Sequence, residues 1–277
     1  MRLNIAHALP LLLVGIGLAA YAVFTFEPAP LLSTSDTRHH ATAAAAWVPA
    51  PSPENAAVIA TAAPESAPDT PQLRALADEG ARLFAARRFT EAAEKLLPAA
   101  DAGYPQAQYQ MGWMNYLGFG VAKDMEQAVA WFRRAADQGN VDGMNALGTA
   151  LREGKGAEQS YSDALHWYRA AAEQGHPEGE VNIGFMHEMG YATAKDPALA
   201  ARYYRLAAAQ NHATAQLYLA SLFEEGKGLP QDLDSARGWY RRAAAQGNEY
   251  ARLALERLEG RAPATVPNPA AAWAGER

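Results

Sequence analysis

The sequence has no cysteine among its 277 residues and no excess of positive charge. Without cysteine the chain has no disulfide bonds, no thiolate zinc or iron–sulfur site and no thiol nucleophile. Its 24 Lys and Arg against 30 Asp and Glu give a net charge of −6, whereas a general nucleic-acid binder needs a basic face. Alanine dominates instead, with 64 residues. Because alanine favours helices but buries little surface, the composition predicts an all-α protein with close helix contacts.

The sequence motifs of common hydrolases and nucleotide-binding proteins are missing as well. There is no G-x-S-x-G, and the His-Glu pair at 187–188 lacks the second histidine of H-E-x-x-H. The glycine-flanked lysines at 154–156 and 226–228 lack the other glycine and the Ser or Thr of a phosphate-binding loop. We therefore predict a non-enzymatic protein with no catalytic residue, cofactor, metal site or nucleic-acid partner.

The first 26 residues have the composition of a membrane segment. Residues 9–26 carry no charge over 18 positions, the lower end of what crosses a hydrocarbon core of ~30 Å. Arg2 precedes them, so the positive-inside rule leaves a cytoplasmic stub and places the rest of the chain across the membrane. The segment is either an uncleaved signal anchor or a signal peptide cleaved near residues 20–22. The expected location is the bacterial inner membrane, single-pass, with the remainder in the periplasm, or a secreted or periplasmic chain after cleavage.

Residues 27–71 have the composition of a disordered linker. They contain 13 alanines and 8 prolines and show no helical or strand periodicity. The tail, 261–277, has the same character. We expect the folded domain to lie between them, at 72–260.

That domain repeats with a period of 36 residues. Segments 107–140, 143–176, 179–212 and 215–248, units one to four, align without a gap. A loop glycine recurs in every unit, as Gly118, Gly154, Gly190 and Gly226. An aromatic pair followed by arginine also recurs, at 131–133, 167–169, 203–205 and 239–241. A period of this length predicts a solenoid.

Start and stop signals divide each unit into two helices. The second helix is expected to begin after an N-cap residue, namely Asp124, Ser160, Asp196 and Asp232. It is expected to end at residues that tolerate a left-handed backbone, namely Gly139, Gly175, Asn211 and Gly247. Residues 72–105 add a shorter helix pair and 249–259 a single terminal helix, so the sequence predicts eleven helices.

This pattern resembles the Sel1-like repeat family, a branch of the tetratricopeptide superhelices. In unit one the signature is carried by Met111-Gly112, Gly118, Gly120-Val121, Asp124, Ala128, Trp131-Phe132, Ala135-Ala136 and Gly139. The resemblance covers 107–248, and 72–105 looks like an ordinary tetratricopeptide unit. It implies a right-handed α-solenoid of antiparallel helix hairpins that serves as an adaptor in protein complexes.

In tetratricopeptide relatives the first helix of each unit lines a concave groove. Transferred to this chain, that register gives a candidate partner-binding set: Tyr109, Trp113, Tyr116, Asn145, Arg152, Val181, Phe185 and Glu188. Exposed aromatic residues are favoured interface anchors, which makes unit one the expected centre of binding. A second candidate is the arginine that follows each aromatic pair, which would either form an anion-binding stripe or pair with acids and rings of the neighbouring hairpin.

The sequence thus predicts a membrane-anchored, export-side scaffold that binds a partner protein or peptide in the solenoid groove. The alternative is a module that binds envelope polysaccharide or peptidoglycan, because aromatic and acidic side chains also suit sugars. A hydrolase is a third function, for which the chain has no motif.

Overall fold

The computed structural model describes residues 70–261. Within this part every regular element is a helix, and their number is the predicted eleven. The helices are α1 Pro71–Ala85, α2 Phe89–Asp101, α3 Pro105–Leu117, α4 Met125–Asp137, α5 Val141–Glu153, α6 Tyr161–Glu173, α7 Pro177–Met189, α8 Pro197–Ala209, α9 Ala213–Glu225, α10 Leu233–Ala245 and α11 Glu249–Leu258.

The predicted membrane segment lies outside the described residues. So do the predicted linker, except Thr70 and Pro71, and the predicted tail, except Arg261. No helix between residues 70 and 261 combines the length and the hydropathy needed to cross a membrane. The first helix begins at Pro71, where the proline-rich stretch ends.

The four units correspond to the helix pairs α3–α4, α5–α6, α7–α8 and α9–α10. The predicted N-caps of the second helices are confirmed: Asp124, Ser160, Asp196 and Asp232 each accept a hydrogen bond from a first-turn backbone N–H. The predicted stop residues all have a left-handed backbone, including the non-glycine Asn211 with φ +63°. Local signals therefore set the helix boundaries, and each unit folds to the same plan.

In the hairpins of units one to three a glycine lets the two helices approach, and unit four has Ala220 at this position. A Cβ placed on Gly184 of α7 would lie 2.6 Å from Cε1 of Tyr204 on α8, and one on Gly112 would lie 2.4 Å from Cε1 of Phe132. The second ring of each aromatic pair thus packs on the first helix of its own unit, where it is 0–1% exposed. The small residues at this position are a packing requirement of the hairpin.

Each helix packs chiefly against the helices before and after it in the chain. The apolar core consequently runs along the units as a series of adjoining clusters instead of one central core. The described residues form a solenoid of helix hairpins, in agreement with the predicted architecture.

The loop between the two helices of a unit contacts the preceding unit. A Cβ on Gly120 would lie 2.4 Å from the carbonyl oxygen of Phe89, the first residue of α2. A Cβ on Gly156 would lie 2.0 Å from the carbonyl oxygen of Met125, the first residue of α4. A Cβ on Gly228 would lie 2.3 Å from the carbonyl carbon of Pro197, the first residue of α8. Unit three has Ala192 at this position with φ +57°, and its neighbour Tyr191 stacks on Tyr161 of α6 at 4.4 Å between ring centroids.

Candidate binding surface

The predicted partner-binding residues lie on α3, α5 and α7, the first helices of units one to three, and α9 is the corresponding helix of unit four. We call the side chains at the predicted groove positions of these helices the first-helix surface. Contacts join one first helix to the next: the Asn182 amide donates to Oδ1 of Asn145 at 2.8 Å, and the Arg152 guanidinium lies 5.6 Å from the ring centroid of Phe185. The predicted residues of α5 and α7 are therefore brought together across neighbouring helices.

In unit one the three predicted aromatic residues form a packed cluster. Trp113 lies edge-on to Tyr109 and to Tyr116, with centroid distances of 6.4 and 5.3 Å, and its ring also meets Phe132 of α4 at 5.5 Å. All three are partly buried. Burial raises the pKa of Tyr109 to about 12. The Tyr116 hydroxyl donates to Oε2 of Glu153 on α5 at 3.5 Å, which links the cluster to the next first helix.

The α5 and α7 residues of the predicted set differ in how far they are accessible. Val181 and Phe185 are 7% and 9% exposed and belong to the hydrophobic core or its edge. The Arg152 side chain is only 10% exposed, because its Nε donates to the Tyr168 hydroxyl at 3.3 Å while its guanidinium pairs with Glu153. Arg152 therefore spans two helices of its own unit.

A tyrosine–carboxylate link recurs in the last two units. The Tyr204 hydroxyl donates to Oε2 of Glu188 and the Tyr240 hydroxyl donates to Oε2 of Glu224, both at 2.8 Å. Burial raises the pKa of Glu188, an effect that the hydrogen bond from Tyr204 opposes. In the sequence each tyrosine follows its carboxylate by 16 residues, a spacing that repeats and that sequence reasoning did not use.

The residue before each of the helices α5, α7, α9 and α11 forms a second recurring link that the sequence reasoning missed. Asn140, His176, His212 and Asn248 are the N-caps of α5, α7, α9 and α11. Nδ1 of His176 accepts from the Gly179 N–H at 3.2 Å, while its Nε2 lies 3.1 Å from Oδ1 of Asp142 on the preceding first helix. The shared position of these four residues in the period was the available signal.

Within residues 70–261 no group of three or more His, Asp or Glu side chains is arranged to hold a metal ion. The surface offers ring edges, amides and carboxylates, which suit non-covalent recognition of another molecule.

Comparison with known proteins identifies the repeat. A family model described as Sel1 repeat matches residues 105–140, 141–176, 177–212 and 213–248, which are the four units. The chain belongs to the Sel1 repeat family. A comparison with curated proteins found no match.

Two solved structures illustrate the likeness. A Sel1 repeat protein from Oxalobacter formigenes is 30% identical with a TM-score of 0.63, and the match covers 74% of this chain and 87% of that one. A protective antigen of uropathogenic Escherichia coli strains, which displays an SLR fold, is 33% identical with a TM-score of 0.60. That match covers 73% of this chain but only 44% of the antigen, so this chain corresponds to less than half of its length.

The recurring arginines of the Sel1 units do not share one environment. Arg133 lies near Asp137 and Arg169 near His187, whereas Arg241 pairs with Glu259 at 3.3 Å. Exposure increases along the column, from partly buried in units one and two to exposed at Arg205 and Arg241. The column is therefore a set of separate local contacts.

Proposed function

We propose that this Sel1 repeat protein is a non-enzymatic scaffold that binds a partner protein or peptide along the first-helix surface. The observation that carries the proposal is the continuity of that surface across α3, α5 and α7. The Tyr116 hydroxyl of α3 donates to Oε2 of Glu153 on α5 at 3.5 Å, and side chains of α5 and α7 contact one another. The Sel1 fold generally serves as a scaffold for protein–protein interaction. Solenoids offer such extended surfaces without a catalytic constellation.

The side chains of this surface define the chemistry of the partner. Helix α3 carries the aromatic cluster and no charged residue. Helices α5, α7 and α9 carry one arginine against six carboxylates that are not buried, namely Asp142, Glu153, Glu178, Glu188, Glu224 and Glu225. A segment that is apolar where it meets α3 and basic where it meets α7 and α9 would complement both ends.

Photo-crosslinking in intact cells tests the proposal. A benzoylphenylalanine replaces Tyr116, a partly exposed member of the first-helix surface, or Leu206, which is 52% exposed on α8, a second helix. We expect adducts with a discrete partner from position 116 and none of that mass from position 206. If both positions gave adducts in equal yield, or if only position 206 gave them, the partner would not bind at the first-helix surface.

The alternative ligand, envelope polysaccharide or peptidoglycan, is favoured by the mixture of rings and carboxylates but not by their arrangement. Trp113 is held at 88° and 76° to its two tyrosine neighbours, so the three rings do not form the flat platform on which a sugar stacks. Co-sedimentation of the full chain with purified peptidoglycan separates the two candidates, and we expect no retention.

We further propose that residues 9–26 anchor the chain in the inner membrane, with the repeats on the export side. The support is the uncharged 18-residue run and the preceding Arg2. Intact spheroplasts treated with protease should lose the repeats from the chain, and N-terminal sequencing of the mature protein separates an anchor from a cleaved signal peptide. Protection of the repeats would contradict the topology.

A further inference from the structure

The histidines that cap α7 and α9 make a hydrogen bond that requires an unprotonated ring nitrogen. Nδ1 of His176 accepts from the Gly179 N–H at 3.2 Å, and Nδ1 of His212 accepts from the Ala215 N–H at 3.3 Å. An imidazole nitrogen accepts only while it carries no hydrogen. Both rings are therefore neutral in this arrangement, with the proton on Nε2.

The Nε2 atoms of the two rings face carboxylates. His176 Nε2 lies 3.1 Å from Asp142 on α5 and 3.5 Å from Glu178 on α7, and His212 Nε2 lies 3.3 Å from the other oxygen of Glu178. Glu180 also acts on both histidines by its charge. The result is a chain of alternating acid and imidazole along the first turns of successive first helices.

The equivalent N-cap residues of α5 and α11 are asparagines, which cannot change their charge. Asn140 accepts from the Gly143 N–H at 2.7 Å and donates through Nδ2 to Gln106 at 3.1 Å. Asn248 accepts from the Ala251 N–H at 2.9 Å. Asparagine thus reproduces the acceptor and donor of a neutral histidine without titrating.

We propose that protonation of His176 and His212 releases the first turns of α7 and α9, so that acid loosens the middle of the first-helix surface while α5 and α11 remain capped. A proton on Nδ1 places two donors opposite each other and removes the cap. It also puts positive charge at the N-terminal end of a helix, where charge of that sign is disfavoured.

The surrounding carboxylates determine how the protonated ring is accommodated. The hydrogen bond with His212 lowers the pKa of Glu178 to about 2, so Glu178 stays ionised wherever histidine titrates. An imidazolium remains attractive to Asp142, Glu178 and Glu180 after the cap is lost. The ring can then hold its ion pairs while the backbone turn, which has no comparable partner, opens.

The consequence for binding rests on the proposed function, because Val181 of the candidate site directly follows the first turn of α7. The loosening itself does not, and it is measured without any partner. Hydrogen exchange of the full chain at pH 7.5 and pH 5 gives protection factors, which remove the intrinsic pH dependence of exchange. We expect protection of Gly179 and Ala215 to fall about fivefold at pH 5, the loss of one N-cap, and protection of Gly143 and Ala251 to hold within about twofold.

Two variants distinguish the caps from a general effect of acid. The double variant His176→Asn, His212→Asn should show no selective fall at Gly179 and Ala215. His166→Asn removes an exposed histidine of α6 that caps nothing, and it should keep the wild-type response. An equal fall at all four amides, no fall at any of them, or a selective fall that survives in the double variant would overturn the proposal. None of these results bears on whether crosslinks form at position 116.

Discussion

One residue departs from the loop glycine that the other units share, although its backbone has the same left-handed conformation. Ala192 has φ +57° where units one, two and four have Gly120, Gly156 and Gly228. A side chain in the left-handed region costs about 1 kcal/mol, and Ala192 is exposed, so its methyl group gains little by packing. We therefore expect Ala192→Gly to raise the free energy of unfolding by about 1 kcal/mol, measured by urea denaturation.

The matched control for this substitution is Ala130→Gly, at an exposed position in the middle of α4. There glycine should lower the free energy of unfolding by about 1 kcal/mol, because it loses helix propensity. If both substitutions lowered the free energy of unfolding, Ala192 would carry no backbone strain.

A buried carboxylate stands where two other units have glutamine. Glu180 is 8% exposed and accepts a hydrogen bond from the Gln210 amide at 2.9 Å. At the same position of units one and four, Gln108 and Gln216 accept the equivalent bond from Gln138 and Gln246. Each of these two glutamines also donates to a backbone carbonyl of the preceding second helix, which a carboxylate cannot do. Burial raises the pKa of Glu180 above its ordinary 4.5. The ionised form is therefore disfavoured in the folded state.

The sign of the pH dependence follows from that direction. Below about pH 4.5 Glu180 is protonated in the folded and unfolded states alike, and as the pH rises through its raised pKa the folded state loses stability relative to the unfolded one. We expect Glu180→Gln to stabilise the fold by about 1 kcal/mol at pH 7 and by much less at pH 4. The reciprocal Gln216→Glu should destabilise it at pH 7, and urea midpoints at the two pH values check both. A gain that is equal at pH 4 and pH 7 would contradict the role of the charge.

At the scale of the helix hairpin, the glycine on the first helix sets the helix spacing. A Cβ on Gly184 would lie 2.6 Å from Tyr204, whose hydroxyl is fixed to Glu188 at 2.8 Å. Alanine gains about 1 kcal/mol of helix propensity, but overpacking costs about 1–3 kcal/mol. We expect Gly184→Ala to lower the free energy of unfolding by about 1 kcal/mol, and to be neutral or stabilising in a Tyr204→Ala background, where the clash is absent. A loss of equal size in both backgrounds would contradict the clash.

The helices themselves were predictable because their signals are local. Asp124, Ser160, Asp196 and Asp232 cap helices in the structure as their positions in the period predict. The candidate site was predictable only as a set of positions. Whether a position is exposed depends on partners elsewhere in the chain, and the burial of Val181 and Phe185 follows from packing across units that a single helix register does not contain. The caps His176 and His212 were visible as a column, but their bonds to the preceding first helix needed the distance between units.

At the scale of the whole array, the joints between units are of two kinds. Loop rings stack on the preceding unit at two of them, Phe119 on Phe89 and Tyr191 on Tyr161, each with centroids 4.4 Å apart. The loops of units two and four have Lys155 and Lys227 in the same place, half exposed and paired with a glutamate of their own unit. Because the stability of a solenoid is close to a sum of unit and interface contributions, the joint between units two and three should be stronger than the joint between three and four.

Removing one loop side chain at each kind of joint tests this alternation. Tyr191 also meets Phe185 at 5.9 Å, so Tyr191→Ala removes two ring contacts and should cost about 1–3 kcal/mol. Lys227→Ala removes an exposed ion pair and should change stability by less than about 1 kcal/mol. In hydrogen exchange Tyr191→Ala should lower protection of α7 to α11 more than that of α1 to α6, because the weakened joint lets the C-terminal units open without the others. Equal losses on both sides of the joint would mean that the array unfolds as one cooperative body, with the ring stacks contributing only to its total stability.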